Sequence, residues 1–260
     1  MAEARPPLTL TVLGAGPAWS DRPGSAGAAY LVRSGPEAVL LDLGHGAVPA
    51  LLGAVLPEAL HAIAISHLHP DHFIDLVPLR HYLCRDGGPT ARLPVLAPDG
   101  LAERLEVVTG EPRFSERAYA LATPSDAAVA AGPFTLRSVA VTHAPGSRAW
   151  RVTAGTGPGV VYTGDASDPA EIVPLMEPGD TLLAEATLGP GPVPAGTLHL
   201  DGPAVGRLAV AGRAGAVVVT HIRARLDTEA TLAAVRARFP GPVALAVPGT
   251  TYAVGPGPRG

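Results

Sequence analysis

Short apolar runs separated by Gly and Pro turns set the rhythm of the first third of the chain. Residues 8–13 (LTLTVL), 28–34 (AAYLVRS) and 38–43 (AVLLDL) have β-type composition and predict strands. Residues 47–56 (AVPALLGAVL) carry helical spacing, and 61–66 (HAIAIS) predict a buried strand. The stretch 71–84 (DHFIDLVPLRHYLC) predicts a helix, broken or kinked near Pro78 because proline cannot donate to the helical ladder. Residues 134–143 (FTLRSVAVTH) alternate apolar and polar positions, as a half-buried strand does, and 149–154 (AWRVTA) and 159–164 (GVVYTG) predict two more strands.

The last third changes rhythm. A strand at 181–187 (TLLAEAT), a helix at 202–213, a strand at 216–221 (AVVVTH), a helix at 227–239 with Asp227 as N-cap, and a closing strand at 242–247 (PVALAV) are predicted. A β-rich half followed by βα units implies two sheets covered by helices. The Pro/Gly stretch 189–196 (GPGPVPAG) is expected to be a loop, placed where a lid could move, and the tail after about Val254 is expected to fray. With no fixed-period repeat and no dividing linker, one domain over 1–260 is expected, its core at about 8–254.

Composition narrows the class. At 260 residues and 47% hydrophobic, the chain can bury one sizeable core. A single cysteine, Cys84, rules out an intrachain disulfide and a Cys-rich zinc site. The N-terminus has no basic start followed by a long apolar run, and no apolar run reaches the roughly 18 residues of a membrane span, so a cytoplasmic protein without a membrane partner is expected. All basic residues are Arg, and the net charge of −4 argues against a broad basic surface for nucleic acid. There are nine His and no Gln, although their codons are neighbours.

The histidines concentrate in SHLHPDH, residues 66–72. His67 and His69 lie two apart after a strand, so extended backbone points both imidazoles the same way. Asp71 and His72 follow at the turn into a helix and face a different spot nearby, which offers two metal positions. Further ligands should also sit at strand ends. His143 after VAVT, Asp165 after VVYTG and His221 after VVVT do so. Each taken alone reads as a polar cap on a strand, whereas four such strand ends together read as a metal site.

These residues resemble the metallo-β-lactamase superfamily: the HxHxDH motif as His67, His69, Asp71 and His72, then His143, Asp165 and His221 in order. The resemblance spans roughly 8–254 and implies a four-layer αββα sandwich of the α/β class with two metal ions, zinc above manganese or iron. It implies that His67, His69 and His143 hold one ion, Asp71, His72 and His221 the second, and that Asp165 bridges them. Asp42 in LLDLGHG would orient a metal-bound His. His45, His61 and His81 match no motif.

The segment Glu185-Ala186-Thr187, with His199-Leu200 beyond it, resembles the ribonuclease Z and phosphodiesterase branch, where the second His helps protonate the leaving oxygen with support from the Glu. Asp201 stands where that branch usually has Thr. Arg225, four residues after His221, matches the branch's Arg and is a candidate to face phosphate. The implied catalytic residues are therefore Asp71, His199 and Glu185. The implied activity is hydrolysis of small phosphodiesters or cyclic nucleotides, by a homodimer. Only about twenty residues separate His143 from Asp165, where ribonuclease Z inserts its tRNA-binding arm, so large RNA is an unexpected substrate. A lactonase or thioesterase, a ribonuclease Z-like endonuclease, a diiron redox protein and a degenerate scaffold are the alternatives; the complete ligand set speaks against the last, and the lack of room for a flavin domain against the redox protein.

Overall fold

The computed structural model describes residues 6–21, 24–85, 90–193 and 196–256. Strands β1 (Leu8–Gly14), β2 (Ala29–Ser34), β3 (Glu37–Leu41), β4 (Leu60–Ala64), β5 (Leu93–Leu96) and β6 (Tyr119–Ala122) belong to one sheet. Strands β7 (Val129–Ala131), β8 (Phe134–Ala140), β9 (Arg148–Thr153), β10 (Val160–Tyr162), β11 (Thr181–Glu185), β12 (Ala216–Thr220) and β13 (Val243–Leu245) form the other. A final strand, β14 (Thr251–Ala253), returns to the first sheet and pairs antiparallel with β1, so β13 does not close the chain. The orders are β14-β1-β2-β3-β4-β5-β6 and β13-β12-β11-β10-β9-β8-β7.

The sequence patterns build four layers because the strands sort their side chains with period two. In β2, Tyr30 and Val32 enter the space between the sheets, where they join Leu136, Trp150, Val152, Tyr162, Leu183 and Val218. Ala29 and Leu31 point the other way, into a second core with Leu51 of α1 (Val48–Ala54), Leu76 and Leu79 of α3 (Leu76–Leu83), and Leu105 of α4 (Leu101–Thr109). On the far side, Leu182, Ala184, Val217 and Val219 pack on Val205 and Leu208 of α5 (Gly202–Ala211) and Leu232 and Val235 of α6 (Thr228–Arg236). Three cores separated by two sheets make the αββα order. Strands buried on both faces explain why most of these segments read as continuous apolar runs.

The predicted helix after the histidine motif divides earlier than expected. It becomes α2 (Pro70–Phe73) and α3, with the break at Ile74–Asp75 rather than at Pro78. The reason is a diverted ladder: Ala28 N donates to the Asp71 carbonyl (2.9 Å), and Asp75 N donates to Leu43 O (3.1 Å). The Asp75 carboxylate instead accepts from Val48 N at the start of α1 (2.9 Å). Pro78 sits in the first turn of α3, where a missing N–H leaves no ladder bond unmade.

Other expectations also need amendment. The fraying expected after about Val254 does not hold at Gly255, which is buried and whose N donates to Thr181 Oγ1 (2.9 Å); residues 257–260 lie outside the described set. Within the predicted 189–196 loop, residues 194 and 195 lie outside the described set. Asp227 caps α6 as expected, accepting from Ala230 N (2.9 Å). Among the described residues no helix is long and apolar enough to cross a membrane.

Candidate metal centre

Sheet direction gathers the ligands. Strands β10, β11 and β12 are mutually parallel, and β8 runs with them because β9 is antiparallel to both β8 and β10. Their C-terminal ends therefore share one edge, which delivers His143, Asp165, Glu185, Thr187 and His221 to one place. In the first sheet, parallel β3 and β4 deliver Asp42 and the 66–72 motif. Arg148 N donates to Ser66 O (2.9 Å) and joins the two edges. His143 lies in the turn after β8 rather than on the strand itself.

Two groups of ligand atoms result, His67, His69, His143 and Asp165 in one and Asp71, His72 and His221 in the other. In the first, His67 Nε2 lies 2.9 Å and His143 Nε2 3.1 Å from His69 Nδ1. In the second, Asp71 Oδ2 lies 3.3 Å from His221 Nε2 and 3.5 Å from His72 Nε2. Asp165 Oδ2 stands between them, 3.8 Å from His67 Nε2 and 3.6 Å from both His143 Nε2 and His72 Nε2.

Hydrogen-bond partners behind the rings select the nitrogens that face inward. His72 Nδ1 meets Asp42 Oδ2 at 2.7 Å, which leaves Nε2 for the centre. His143 Nδ1 donates to Leu198 O (2.8 Å). Thr187 Oγ1 gives its one proton to His221 O (3.0 Å), so it accepts from His221 Nδ1 (2.9 Å) and Nε2 stays free. Such partners set both tautomer and ring orientation.

Asp42 is the most heavily used of these supports. Besides His72, it accepts from Ser66 N (2.6 Å), Ser66 Oγ (2.7 Å) and Tyr162 OH (2.7 Å). Asp42 and His221 hold left-handed backbone, φ 57° and 56°, a conformation that costs about 1–3 kcal/mol for a residue with a Cβ. Sequence assigned Ser66, Tyr162 and Thr187 no supporting role, although Ser66 opens the SHLHPDH stretch and Thr187 closes the Glu185-Ala186-Thr187 segment, because each otherwise reads as a member of an apolar strand or its end.

The donor set of the centre fits divalent metal ions. His72 Nε2 and Asp165 Oδ1 are buried without a hydrogen-bond partner among the described residues, an arrangement that is expensive unless a ligand completes it. The donors are imidazoles and carboxylates, which suit first-row divalent ions. Burial, joined by repulsion from neighbouring His72, pushes the His67 proton affinity well below the usual histidine range. Burial pushes the Asp165 carboxyl up, but His221, His72, His67 and His199 outweigh it and hold the group ionised. Asp71 follows the same logic, with His221 and His72 overriding burial.

Beside the centre, His199 Nδ1 lies 3.1 Å from Glu185 Oε1 and 3.7 Å from Asp165 Oδ2. Glu185 is fully buried and already accepts from Ala166 N (3.0 Å), Leu200 N (3.2 Å) and Thr187 N (3.0 Å). These bonds occupy its carboxylate, so the Asp165–Glu185–His199 group is a weaker candidate for a metal than the other two. Burial lowers the proton affinity of His199, and the Glu185 hydrogen bond and charge reverse the sign, leaving it above the usual histidine value. Asp201, the departure noted in the sequence, caps α5 by accepting from Ala204 N (2.8 Å).

A cleft of about 440 Å³ opens over the centre, walled by Pro17, Trp19, His69, Asp71, Asp165, Thr187, His199, His221 and Arg223. Arg225 is not part of this wall. Its side chain is 79% exposed and its Nε lies 3.3 Å from Asp21 Oδ2. Left-handed backbone at His221 and Arg225 turns the segment so that Arg223 is the basic residue of the cleft. His45, His61 and His81 lie outside both ligand groups; His61 pairs with Glu37 and His81 packs edge-on to Phe114.

The chain matches the model of the β-lactamase superfamily domain over residues 39–222. It is 29% identical over 197 residues to YhfI of Bacillus subtilis, named a probable metallo-hydrolase, covering 74% of this chain and 78% of that one. The crystal structure of YhfI superposes with a TM-score of 0.84 at 27% identity, over 95% of this chain and 99% of that one. Ribonuclease Z of Mycobacterium bovis is 36% identical over 102 residues, 38% of this chain and 36% of that one. Human tRNase Z, short form, shares the fold with a TM-score of 0.72 at 19% identity, over 95% and 99% of the two chains.

Proposed function

This chain belongs to the β-lactamase superfamily, and from that premise we propose that it is a dinuclear metallo-hydrolase cleaving small phosphodiesters, cyclic nucleotides included. Metallo-hydrolase is the class named for its Bacillus subtilis relative. The observation that carries the phosphodiester reading is the Glu185–His199 pair set 3.7 Å from Asp165. Two divalent ions held by the seven ligands would make water a nucleophile at neutral pH and neutralise charge on a phosphoryl group.

The residues divide the remaining work. Glu185 accepts the Nδ1 proton of His199 and fixes the ring, which leaves Nε2 as the atom that carries a transferable proton. As the bond from phosphorus to the leaving oxygen breaks, that oxygen takes the His199 proton, and a water oxygen that has given one proton to solvent becomes bonded to phosphorus; His199 regains a proton from solvent. Thioester hydrolysis expels a thiolate and needs this acid less, which favours the phosphodiester class over thioesters; a lactone expels an alkoxide, and the substrate panel separates it. Substrate size follows from the segment between His143 and Asp165, where β9 and β10 pair directly and form a wall of the second sheet rather than an arm.

A panel tests the reading: bis(p-nitrophenyl) phosphate, a cyclic nucleotide, precursor tRNA, a lactone and a thioester, with metal-loaded protein in one buffer and salt. The two small diesters should give the highest kcat/KM. Faster, accurate cleavage of precursor tRNA would move the assignment to RNA processing, and faster turnover of the lactone or thioester would move it to carbonyl chemistry.

A further inference from the structure

The loop after β1 and the turn after β12 place two uncommitted side chains on the cleft wall. Trp19 is 56% exposed, an unusual state for so large an apolar ring, and it lines the same cleft as His69, Asp71, Asp165 and His199. Arg223 is exposed and lines that cleft; its carbonyl accepts from Leu226 N, but its guanidinium makes no hydrogen bond or ion pair among the described residues. Nearby carboxylates do not claim it: Asp71 and Asp165 face the histidines, and Glu185 is occupied by backbone N–H groups.

The loop that carries Trp19 is tied to the centre on both sides. His221 N donates to Ala15 O (3.2 Å), and Arg225 pairs with Asp21, two residues beyond Trp19. Arg225 thereby acts on the loop, while Arg223 remains free for a ligand. Arg223 and His199 line the same cleft, so the guanidinium stands near the reacting group.

Resting on the phosphodiesterase reading, we infer that Trp19 and Arg223 form the recognition rim of the site and select diesters that carry an aromatic base: Trp19 stacks on the base while Arg223 pairs with a phosphate oxygen. A free aromatic face binds a base by stacking, which alanine substitution typically finds worth roughly five- to 150-fold in affinity. A guanidinium is suited to two parallel hydrogen bonds with phosphate. A cleft of about 440 Å³ has room for one nucleoside phosphate beside the metals.

The test uses two diesters with one shared leaving group, thymidine 5′-(p-nitrophenyl phosphate) and methyl p-nitrophenyl phosphate. Wild-type protein should prefer the nucleoside substrate. Trp19→Ala should reduce that preference about tenfold, mainly through KM, and Trp19→Phe should restore most of it. Arg223→Met should lower kcat/KM for both substrates by a similar factor, about tenfold or more. A binding readout runs in parallel. The chain has two tryptophans, and Trp150 is buried, so adenosine 5′-monophosphate should quench the emission of wild type but not that of Trp19→Phe. An unchanged substrate ratio in Trp19→Ala, or undiminished kcat/KM in Arg223→Met, overturns the inference while wild-type diester hydrolysis still stands. Hydrolysis of neither diester by metal-loaded wild type overturns the phosphodiesterase reading itself.

Discussion

His199 and Asp42 show how a single neighbour decides what an ionisable residue does. Burial alone would strip the proton from His199; the Glu185 hydrogen bond and charge restore it and lift the proton affinity above the usual value. A raised group is protonated fully below its folded-state pKa and loses the proton as pH rises through it. A general acid at His199 therefore gives a rate that falls on the alkaline side. Glu185→Gln removes the raising partner, so that alkaline limb should move to lower pH in a kcat profile taken with a poor leaving group. His199→Ala should lower kcat by about 10²–10⁴ for the same substrate, lower it less for p-nitrophenyl esters, and leave metal content unchanged in elemental analysis. Loss of metal in that variant would make His199 a ligand instead. At Asp42, substitution by Asn keeps the shape and the tolerance for left-handed backbone. It cannot accept from Ser66, Tyr162 and His72 together as the carboxylate does. Asp42→Asn should weaken the second ion, the one beside His72, by about 10–100-fold and spare the first, which stepwise metal titration can resolve.

Elements matter here through the close approach of their ends. Gly44, just after β3, lies against the motif so tightly that a Cβ would sit 1.9 Å from the Asp71 carbonyl oxygen. That carbonyl is the acceptor for Ala28 N, the bond that breaks the helical ladder and leaves α2 as one turn. Gly164, with φ +56°, turns the chain from β10 to Asp165 with no space beside Ser66. Gly53 in α1 meets nothing within 4 Å. The same substitution should thus have opposite signs at two places. Gly44→Ala should destabilise by about 3 kcal/mol or more and displace Asp71 and His72. Gly53→Ala should stabilise by about 0.5 kcal/mol from helix propensity. Urea denaturation of both variants, with metal content measured alongside, checks the pair; equal effects would refute the packing argument.

At the level of the whole molecule, the centre joins both sheets, so its ions and the fold should support one another. The seven ligands come from the ends of β4, β8, β10 and β12 and from α2, elements far apart in sequence. Ions that bind this assembled edge and not the unfolded chain stabilise by mass action, about 4 kcal/mol at a thousandfold excess over Kd. Chelation should therefore lower Tm by several degrees, and zinc or manganese should restore it. An unchanged Tm, with elemental analysis near zero before chelation, would remove the dinuclear centre from the account.

Local pattern was enough for much of this protein. The SHLHPDH stretch, the short apolar strands ending at His143, Asp165 and His221, and the Asp227 cap are all written within a few residues, because strand period and capping are nearest-neighbour physics. The αββα order and the candidate ligand set were readable from them and from the resemblance they carry. The segments from β5 to β7 were not legible: they are strands of three or four residues, one of them interrupted by Pro94, and α4 lies between them. Strand β14 was missed because only its partner β1, some 240 residues away, makes it a strand. Arg225 was a candidate to face phosphate by resemblance. The structure pairs it with Asp21 and puts Arg223 on the cleft wall, and no spacing rule carries that information. Ser66, Tyr162 and Thr187 had no assigned role until folding set them behind the candidate ligands. Sequence thus determined which side chains could bind metal and which segments could be strands, since both depend on chemistry and period. Tertiary structure alone decided which nitrogen of each ring faces inward and which arginine meets the cleft, since both depend on partners that folding brings together from distant parts of the chain.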